Sequence, residues 1–261
     1  MYNYKLIHNP NKIDANKLLL DIKKLLPKHL NCIPDYSALS ILELIKKTKK
    51  KNYMLETGVG VSTIALFLGS YLNKKKFFSF DINQDKISAI KQIINETICE
   101  RLEINISNYW TAIPTDSLCP YSGIRSLKEL KKDFDFCFLD SSHTLNHLNE
   151  ELDCFLSLTR NKFFIGIDDA HMNYKKVNID YINLIRSKSN LNKINLKNNI
   201  TREFYVEIFD KLKKIYKKVK IIKPVKKLNS NDDIYYKYYG NLIFKPGERK
   251  KHKTVFYSII K

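Results

Sequence analysis

A glycine-containing turn follows the first apolar segment that is typical of a strand. It reads Glu56-Thr-Gly58-Val-Gly60-Val-Ser62 and leads directly into a segment with helical spacing. Glycines at such a junction allow a tight turn and a close approach of the backbone to a ligand, and free N–H groups at the helix start favour an electronegative group. Asp81 ends the next apolar segment, 21 residues after Gly60, where a carboxylate can accept hydrogen bonds from ribose hydroxyls. Together these residues predict a nucleotide-type site.

Two later apolar segments also end in acids. Asp140 follows one of them, and Asp168 with Asp169 follows the other. Ligands of open α/β sheets bind at the carboxyl ends of the strands, so we expect these carboxylates to lie at one site. There they would bind a hard divalent cation, Mg²⁺ or Mn²⁺, or assist proton removal from a hydroxyl. Under the alternative interpretation, Asp140 caps the next helix and the other two acids only end a strand.

Histidines accompany these acids. His143 is a candidate general base or substrate contact, because an unperturbed imidazole with a pKa of about 6.5 suits proton abstraction at neutral pH; capping is the alternative. His147 and Glu151 continue from His143 at intervals of four residues, which suggests a zinc site or, as the favoured interpretation, a pair on a helix surface. His171 is expected to orient residues that contact the ligand rather than to take part in catalysis itself.

The acid before the glycines separates two kinds of nucleotide site. A nicotinamide-dinucleotide site would call for a small residue three positions after Gly60, where Thr63 stands. Glu56, two residues before the first glycine, instead resembles motif I of the class I S-adenosylmethionine-dependent methyltransferases. The acid and histidine pairs after the two later segments resemble the O-methyltransferase branch of that superfamily, including its DxxH and catechol-type members.

This resemblance spans about residues 37–171 and implies a function. It implies transfer of a methyl group from S-adenosylmethionine to a hydroxyl of a small molecule or glycan, with Mg²⁺ or Mn²⁺ as an optional aid. The implied roles are cofactor binding for Glu56, Gly58, Gly60, Ser62 and Asp81, catalysis for His143 and Asp140, and metal binding for Asp140, Asp168 and Asp169.

The sequence departs from that pattern at four places, one of which is Arg160-Asn161, where Gly-Gly usually precedes the fifth strand. Ser62 replaces a third motif glycine, and Asp169 stands where catechol-type members have Asn. The adenine-contacting acid expected after the third strand does not occur in Ile104–Trp110, where Asn108 or Ser107 is the predicted substitute.

Apolar segments alternate with helical ones along the chain. Strand-like segments at 52–57, 76–81, 134–140 and 162–168 are each followed by a helical pattern, at 62–72, 84–99, 145–158 and 179–189. This order indicates βαβ units. We predict an α/β fold: a Rossmann-like, doubly wound, mostly parallel sheet with an antiparallel C-terminal strand and an N-terminal helical cap.

One domain is expected to comprise residues 1–261. Residues 1–50 form the cap, with helices near 16–26 and 37–47; residues 51–171 form the cofactor-binding core; the basic residues 172–261 complete the sheet, with a helix at 201–218 and strands at 219–225, 234–244 and 254–260. Trp110 and the aromatic tail Tyr235, Tyr236, Tyr238 and Tyr239 are predicted to be core residues rather than stacking surfaces.

The chain is strongly basic, with 46 Lys and Arg against 27 Asp and Glu, a net charge of +19. A polyanion partner is one explanation. Because 40 of the 46 are Lys, A/T-rich codon usage is the favoured one. Residues 201–261 carry 17 basic and 6 acidic side chains, which gives +11, so any polyanion site is expected in this tail.

Several classes are disfavoured. The chain lacks the run of about 20 apolar residues of a membrane span and the apolar segment of a signal peptide, and its five cysteines include no CxxC pair, so a cytoplasmic protein is expected. No feature predicts an oligomeric state. Two other functions stay open: an RNA methyltransferase that uses the basic tail, and a non-methylating relative of the same fold.

Overall fold

The fold is built on one seven-stranded sheet. The computed structural model describes residues 13–27, 30–31, 33–49, 51–142, 144–170, 203–222 and 254–261. The strands are β1 (Tyr53–Thr57), β2 (Phe77–Phe80), β3 (Trp110–Ile113), β4 (Phe134–Leu139), β5 (Lys162–Ile167), β6 (Lys218–Ile222) and β7 (Val255–Ile260). Their spatial order is β3-β2-β1-β4-β5-β7-β6. Strands β1 to β5 are parallel, and β7 runs antiparallel to both β5 and β6.

Helices flank this sheet. They are α1 (Ala15–Leu25), α2 (Asp35–Ile45), α3 (Val61–Asn73), α4 (Gln84–Ile94), α5 (Glu100–Leu102), α6 (Leu145–Leu156) and α7 (Phe204–Ile215). A π-helical turn over Asn95–Cys99 joins α4 to α5. The mostly parallel sheet, the antiparallel C-terminal strand and the two N-terminal helices are thereby confirmed.

The central strands are mostly apolar because both faces of the sheet are covered, although Glu56 in β1 and Asp135 in β4 are buried acids. Successive residues point to opposite faces, so Met54 packs into the core that includes α1, α2 and α3, whereas Leu55 packs into the core that includes α6 and α7. In β4, Phe136 and Cys137 divide between the two cores in the same way. This two-sided burial fixes the strand register and hence the positions of the strand ends.

The third strand begins later than the sequence indicated. Residues Ile106–Asn108 form a 3₁₀ turn, in which the Asn105 side chain accepts a hydrogen bond from the Ser107 amide. Strand β3 follows at Trp110, which is buried as predicted. Asn108 therefore precedes the strand, at its amino end, and the expectation that Asn108 or Ser107 replaces an adenine-contacting acid is wrong.

Some predictions concern residues beyond the described ranges. The helix at 179–189, the strand at 234–244, the tyrosines of the tail and both His143 and His171 lie there. The division into residues 1–50, 51–171 and 172–261 stays a prediction. Within the described ranges, none of the helices has both the length and the apolar character needed to cross a membrane. The four described cysteines are free thiols.

Candidate functional site

A cleft opens at the carboxyl edge of the sheet, where β1 lies between β2 and β4. The order of the strands reverses at this point, since the chain builds outward from β1 on one side and from β4 on the other, and open α/β sheets bind ligands at such a position. The cleft is lined by Gly58, Phe80, Asp81, Ile82, Lys86, Thr115, Asp116, Ser117, Asp140, Ser141, Ser142 and His147.

Gly58 makes the closest backbone approach in the cleft. Its φ is +79°, a conformation that favours glycine. A Cβ atom on Gly58 would lie 1.9 Å from the carbonyl oxygen of Asp140. The Gly58 N–H also donates to the carbonyl of Phe80 at 2.8 Å. The turn after β1 is thus wedged between the ends of β2 and β4, and no side chain fits there.

Glu56 lies behind this turn and is fully buried. Its Oε2 accepts hydrogen bonds from Thr63 Oγ1 at 2.8 Å and from Ser79 Oγ at 2.7 Å. Thr63 Oγ1 in turn accepts the N–H of Gly60 at 3.0 Å, and Ser79 Oγ accepts the indole N–H of Trp110 at 2.9 Å. The carboxylate therefore ties the glycine turn to β2 and β3, while its Oε1 has no hydrogen-bond partner among the residues that the structure describes.

The burial of Glu56 changes its pKa. Burial raises the pKa of Glu56 to about 7, against the opposing effect of the hydroxyl donors and of Lys86. The folded protein therefore binds a proton more tightly at this site than the unfolded chain does. Ionisation of Glu56 costs stability, and this cost increases as the pH rises from the unfolded pKa of 4.5 to about 7.

We expect the free energy of unfolding to fall by about 3 kcal/mol between pH 5 and pH 8 because of Glu56. The substitution Glu56→Gln removes the titration and should flatten the pH dependence by that amount. Urea unfolding at several pH values measures it. Glu43→Gln, a change at an exposed carboxylate on α2, should keep the wild-type slope. An unchanged slope in Glu56→Gln would contradict the interpretation.

Asp81 and Ile82 follow β2 and form one wall of the cleft. Asp81 Oδ2 accepts the N–H of Val59 at 2.8 Å and lies 3.3 Å from Lys86 Nζ, while Oδ1 accepts the N–H of Asn83 at 2.8 Å. A carboxylate has about four lone-pair sites, so acceptor capacity remains toward the cleft. Ile82 is 78% exposed, which leaves an apolar surface inside an otherwise polar cleft.

Asp116 is a cleft residue that sequence reasoning missed. It comes three residues after the end of β3, at the same edge as Asp81, and its Oδ1 accepts the N–H of Leu118 at 2.8 Å. The Asp116 side chain thus closes a turn beside the cleft. The sequence does carry a signal for Asp116, an acid just after a strand. The sequence pattern, however, placed the end of this strand several residues too early.

Glu151 organises the opposite wall from α6. It is buried, with 1% of its surface exposed. Its Oε1 accepts hydrogen bonds from Ser117 Oγ and from Ser141 Oγ, the latter at 2.6 Å, and its Oε2 accepts from Thr57 Oγ1 at 3.3 Å. One carboxylate therefore connects the residues that follow β3 and β4 with the end of β1.

His147 completes this wall. Its Nε2 lies 3.3 Å from Glu151 Oε1, and the hydrogen bond to Glu151 raises the pKa of His147. The predicted His147–Glu151 pair is present, but its placement on a helix surface is wrong for Glu151, because that carboxylate faces the strand ends rather than solvent.

Asp140, Asp168 and Asp169 come together at the ends of β4 and β5. Burial, followed by the charges of Asp168 and Asp169, raises the pKa of Asp140 well above its ordinary value. Thr144, and not Asp140, is the N-cap of α6. Asp168 Oδ1 accepts a hydrogen bond from Thr254 Oγ1 at 2.7 Å, which anchors β7 to this edge. Asp140 is thus free of a capping role and shares its charge environment with two further acids.

These acids do not make a metal site within the residues that the structure describes. No group of three or more His, Cys, Asp or Glu side chains there has the arrangement to hold a metal ion, and Asp168 directs one oxygen to Thr254. The predicted Mg²⁺ or Mn²⁺ does not fit this set of side chains.

Comparison with known proteins bears on the fold. No protein-family model and no curated protein sequence matches the chain, but solved structures do. One is the O-methyltransferase from Bacillus cereus in complex with SAH, at 13% identity over 96% of this chain and 92% of that one, with a TM-score of 0.53. Another is the O-methyltransferase TomG from Streptomyces achromogenes in complex with SAM, at 11% identity, 96% and 91% coverage and a TM-score of 0.53.

The chain has a class I methyltransferase fold. The residues predicted to bind the cofactor fall into two groups according to their place in this fold. Gly58 and Asp81 line the cleft. Glu56 and Ser62 are buried behind the turn, at 0% and 2% exposure, and Gly60 is linked to them through Thr63. Of the predicted catalytic residues, Asp140 lines the cleft.

Proposed function

We propose that the protein binds S-adenosylmethionine in this cleft and transfers its methyl group to a hydroxyl oxygen of a small molecule or glycan. The observation that carries the proposal is that an exposed apolar side chain, Ile82, and two carboxylates, Asp81 and Asp116, line one cleft at the switch point of a methyltransferase fold. The adenosine part of S-adenosylmethionine is complementary to these side chains, because its adenine ring is flat and apolar and its ribose hydroxyls and amino group are hydrogen-bond donors.

We assign each residue of the cleft to a different part of S-adenosylmethionine. Asp81 accepts hydrogen bonds from the ribose hydroxyls, Ile82 packs against the adenine, and Asp116 accepts from its amino group. Gly58 lets the methionine portion approach the backbone. Glu56 and Ser62 hold the turn in place from behind, so we assign them positioning roles. The bound cofactor supplies an electrophilic methyl group on a sulfonium.

Asp140 is the candidate proton acceptor. It stands at the end of β4, beside Gly58, where an acceptor hydroxyl in line with the methyl group would lie. A carboxylate whose pKa is raised, as that of Asp140 is by burial and by the neighbouring acids, is a stronger base when ionised. His143 follows three residues later and remains a second candidate. No step is assigned to a metal ion.

Calorimetry with S-adenosylhomocysteine tests the cofactor assignment. Ile82 is mostly exposed in the free protein, so Ile82→Asp should leave the unfolding temperature nearly unchanged. It should weaken binding roughly 10- to 100-fold, because an apolar contact worth about 1.5–3 kcal/mol is lost. Ile215→Asp is a matched control at an isoleucine that is 53% exposed at the end of α7, outside the cleft.

Two results would contradict the proposal. Absence of S-adenosylhomocysteine binding to the wild-type protein would remove the cofactor, and equal affinities of Ile82→Asp and wild type would remove the adenine position. A panel of hydroxylated acceptors with labelled S-adenosylmethionine then tests transfer, and binding without transfer to any acceptor would favour a non-methylating relative.

A further inference from the structure

Charge is segregated between the two edges of the sheet. The described segments that lead into β1, β2, β4 and β5 are rich in cations: Lys49, Lys51, Lys74, Lys75, Lys76, Lys131, Lys132, Arg160 and Lys162. The acids Asp133 and Asp135 at this edge are paired, with Arg160 and Lys75 respectively. The segments that leave the parallel strands carry the acids of the cleft. The amino edge, which also carries Glu103 and Glu129, is therefore net basic, and the carboxyl edge is acidic.

Codon usage does not explain this separation. A preference for A/T-rich codons sets how many lysines the chain has, but not at which edge of a sheet they lie. Cations are favoured at helix C-termini, which accounts for Lys74, the C-cap of α3. It does not account for Lys51, which lies six residues beyond the end of α2.

The basic edge contains a shallow groove of about 420 Å³, a volume within the range of ligand sites, about 300–1,000 Å³. It is lined by Lys51, Asn52, Tyr53, Lys74, Lys75, Lys76, Asn108 and Tyr109. Lys75 is buried and paired with Asp135 at 2.6 Å. Lys51 and Lys74 are exposed, and they supply the positive charge that faces solvent.

We propose that this groove binds the phosphate groups of a single-stranded nucleic acid. The exposed cations match a chain of phosphates, and a concave groove admits one strand. The ring of Tyr109 packs edge-on against Phe67 and Tyr71, at centroid distances of 5.9 and 5.7 Å, and adjoins the hydrophobic core, so we assign it no base stacking. Recognition through phosphates alone is sequence-independent.

A membrane surface fits this groove less well. None of the residues that line the groove is among the exposed large apolar residues of the described ranges, whereas peripheral membrane proteins insert apolar side chains beside their cations. The groove is also separate from the cleft. The five residues of β1 stand between the two edges, about 16 Å at the rise of a strand, so the phosphates held in the groove lie apart from the site proposed for methyl transfer.

Fluorescence anisotropy with a labelled RNA of about 12 nucleotides and mixed sequence tests the proposal. The full-length protein should bind it, with affinity that falls steeply between about 50 and 200 mM salt. The double variant Lys51→Glu, Lys74→Glu should bind at least about tenfold more weakly. Its log–log salt slope should be smaller by about 1.4, the value for two lost contacts to a single strand.

The matched control is Lys24→Glu, Lys220→Glu. It makes the same change in net charge at exposed lysines on α1 and on β6, the strand at the far side of the sheet, and it should bind RNA like wild type. DNA of the same sequence should bind with similar affinity. Binding of S-adenosylhomocysteine should be unchanged in both double variants, which separates this test from that of the proposed function.

Three outcomes would overturn the proposal. They are the absence of RNA binding by the wild-type protein, an equal loss of affinity in both double variants, and sedimentation with phosphatidylserine vesicles without RNA binding. The second would show that net charge alone attracts the polyanion, and the third that the basic edge contacts a lipid surface.

Discussion

Replacing Gly58 with alanine is expected to destabilise the protein by about 3 kcal/mol or more and to abolish binding of S-adenosylhomocysteine. Two costs add. A non-glycine residue at a φ of +79° is strained by about 1–2 kcal/mol. The new methyl group would also stand 1.9 Å from the carbonyl oxygen of Asp140, so the backbone of the turn or of Asp140 must move, at a typical cost of about 1–3 kcal/mol.

The loss of binding follows from the same displacement. Gly58 is hydrogen-bonded to Phe80 at the end of β2 and touches Asp140 at the end of β4. Moving the turn therefore also displaces the ends of β2 and β4, which line the cleft together with it. A misplacement of about 1 Å is enough to reduce activity about 100-fold in enzymes that depend on positioning.

Gly60→Ala provides the matched control. The φ of Gly60 is 179°, an extended backbone that any residue adopts, and a Cβ there would lie 3.5 Å from the carbonyl oxygen of Leu30, an ordinary contact. We expect a change of less than about 1 kcal/mol in urea unfolding. Equal losses of stability in Gly58→Ala and Gly60→Ala would show that the close contact with Asp140 does not control the turn.

The parts that the sequence predicted correctly share a physical cause. Strands β2, β4 and β5 are covered on both faces, so each appears as a mostly apolar run that is followed by an acid, and the position of the strand end follows directly. Asp81 and Asp140 were located at the cleft for this reason. The turn was predicted correctly as well. A φ of +79° at Gly58 favours glycine, and glycine is rare in this chain, with seven in 261 residues.

The parts that were missed depend on contacts that no local pattern encodes. Strand β3 is an edge strand of four residues with one buried position, so its apolar signal is weak, and Asp116 went unrecognised with it. Ile82 appears in the sequence as an ordinary apolar residue, and only its exposure inside the cleft marks it as a candidate ligand contact. Glu151 resembled half of a surface pair, since the three hydroxyls that it collects come from residues 10 to 94 positions away.

That convergence makes Glu151 the second residue at which a small change should have a large effect. Glu151→Gln conserves the size of the side chain but removes the charge and places an NH₂ group among donors. Thr57, Ser117 and Ser141 then compete for fewer acceptor sites in a buried environment. Hydrogen bonds to a charged group are worth about 1.5–3 kcal/mol each, so we expect a loss of about 3 kcal/mol in urea unfolding.

The pH dependence of this loss has a definite sign. The hydrogen bond from His147 to Glu151 raises the pKa of His147 in the folded protein. This pair therefore adds stability below the unfolded pKa of about 6.5, and the contribution disappears as the pH rises through the folded pKa. Glu151→Gln should consequently be more destabilising at pH 6 than at pH 9, and the pKa of His147, followed by NMR of its imidazole, should decrease.

Glu150→Gln is the control, because Glu150 is the adjacent residue of α6 and is exposed. It removes the same charge from the same helix without touching Thr57, Ser117 or Ser141, so both the unfolding free energy and the pKa of His147 should stay near their wild-type values. If Glu150→Gln lowered that pKa as much as Glu151→Gln does, the long-range charge of the helix and not the buried hydrogen bond would hold the histidine protonated. The cleft wall would then owe its order to the apolar contacts of α6 and not to the carboxylate beneath it.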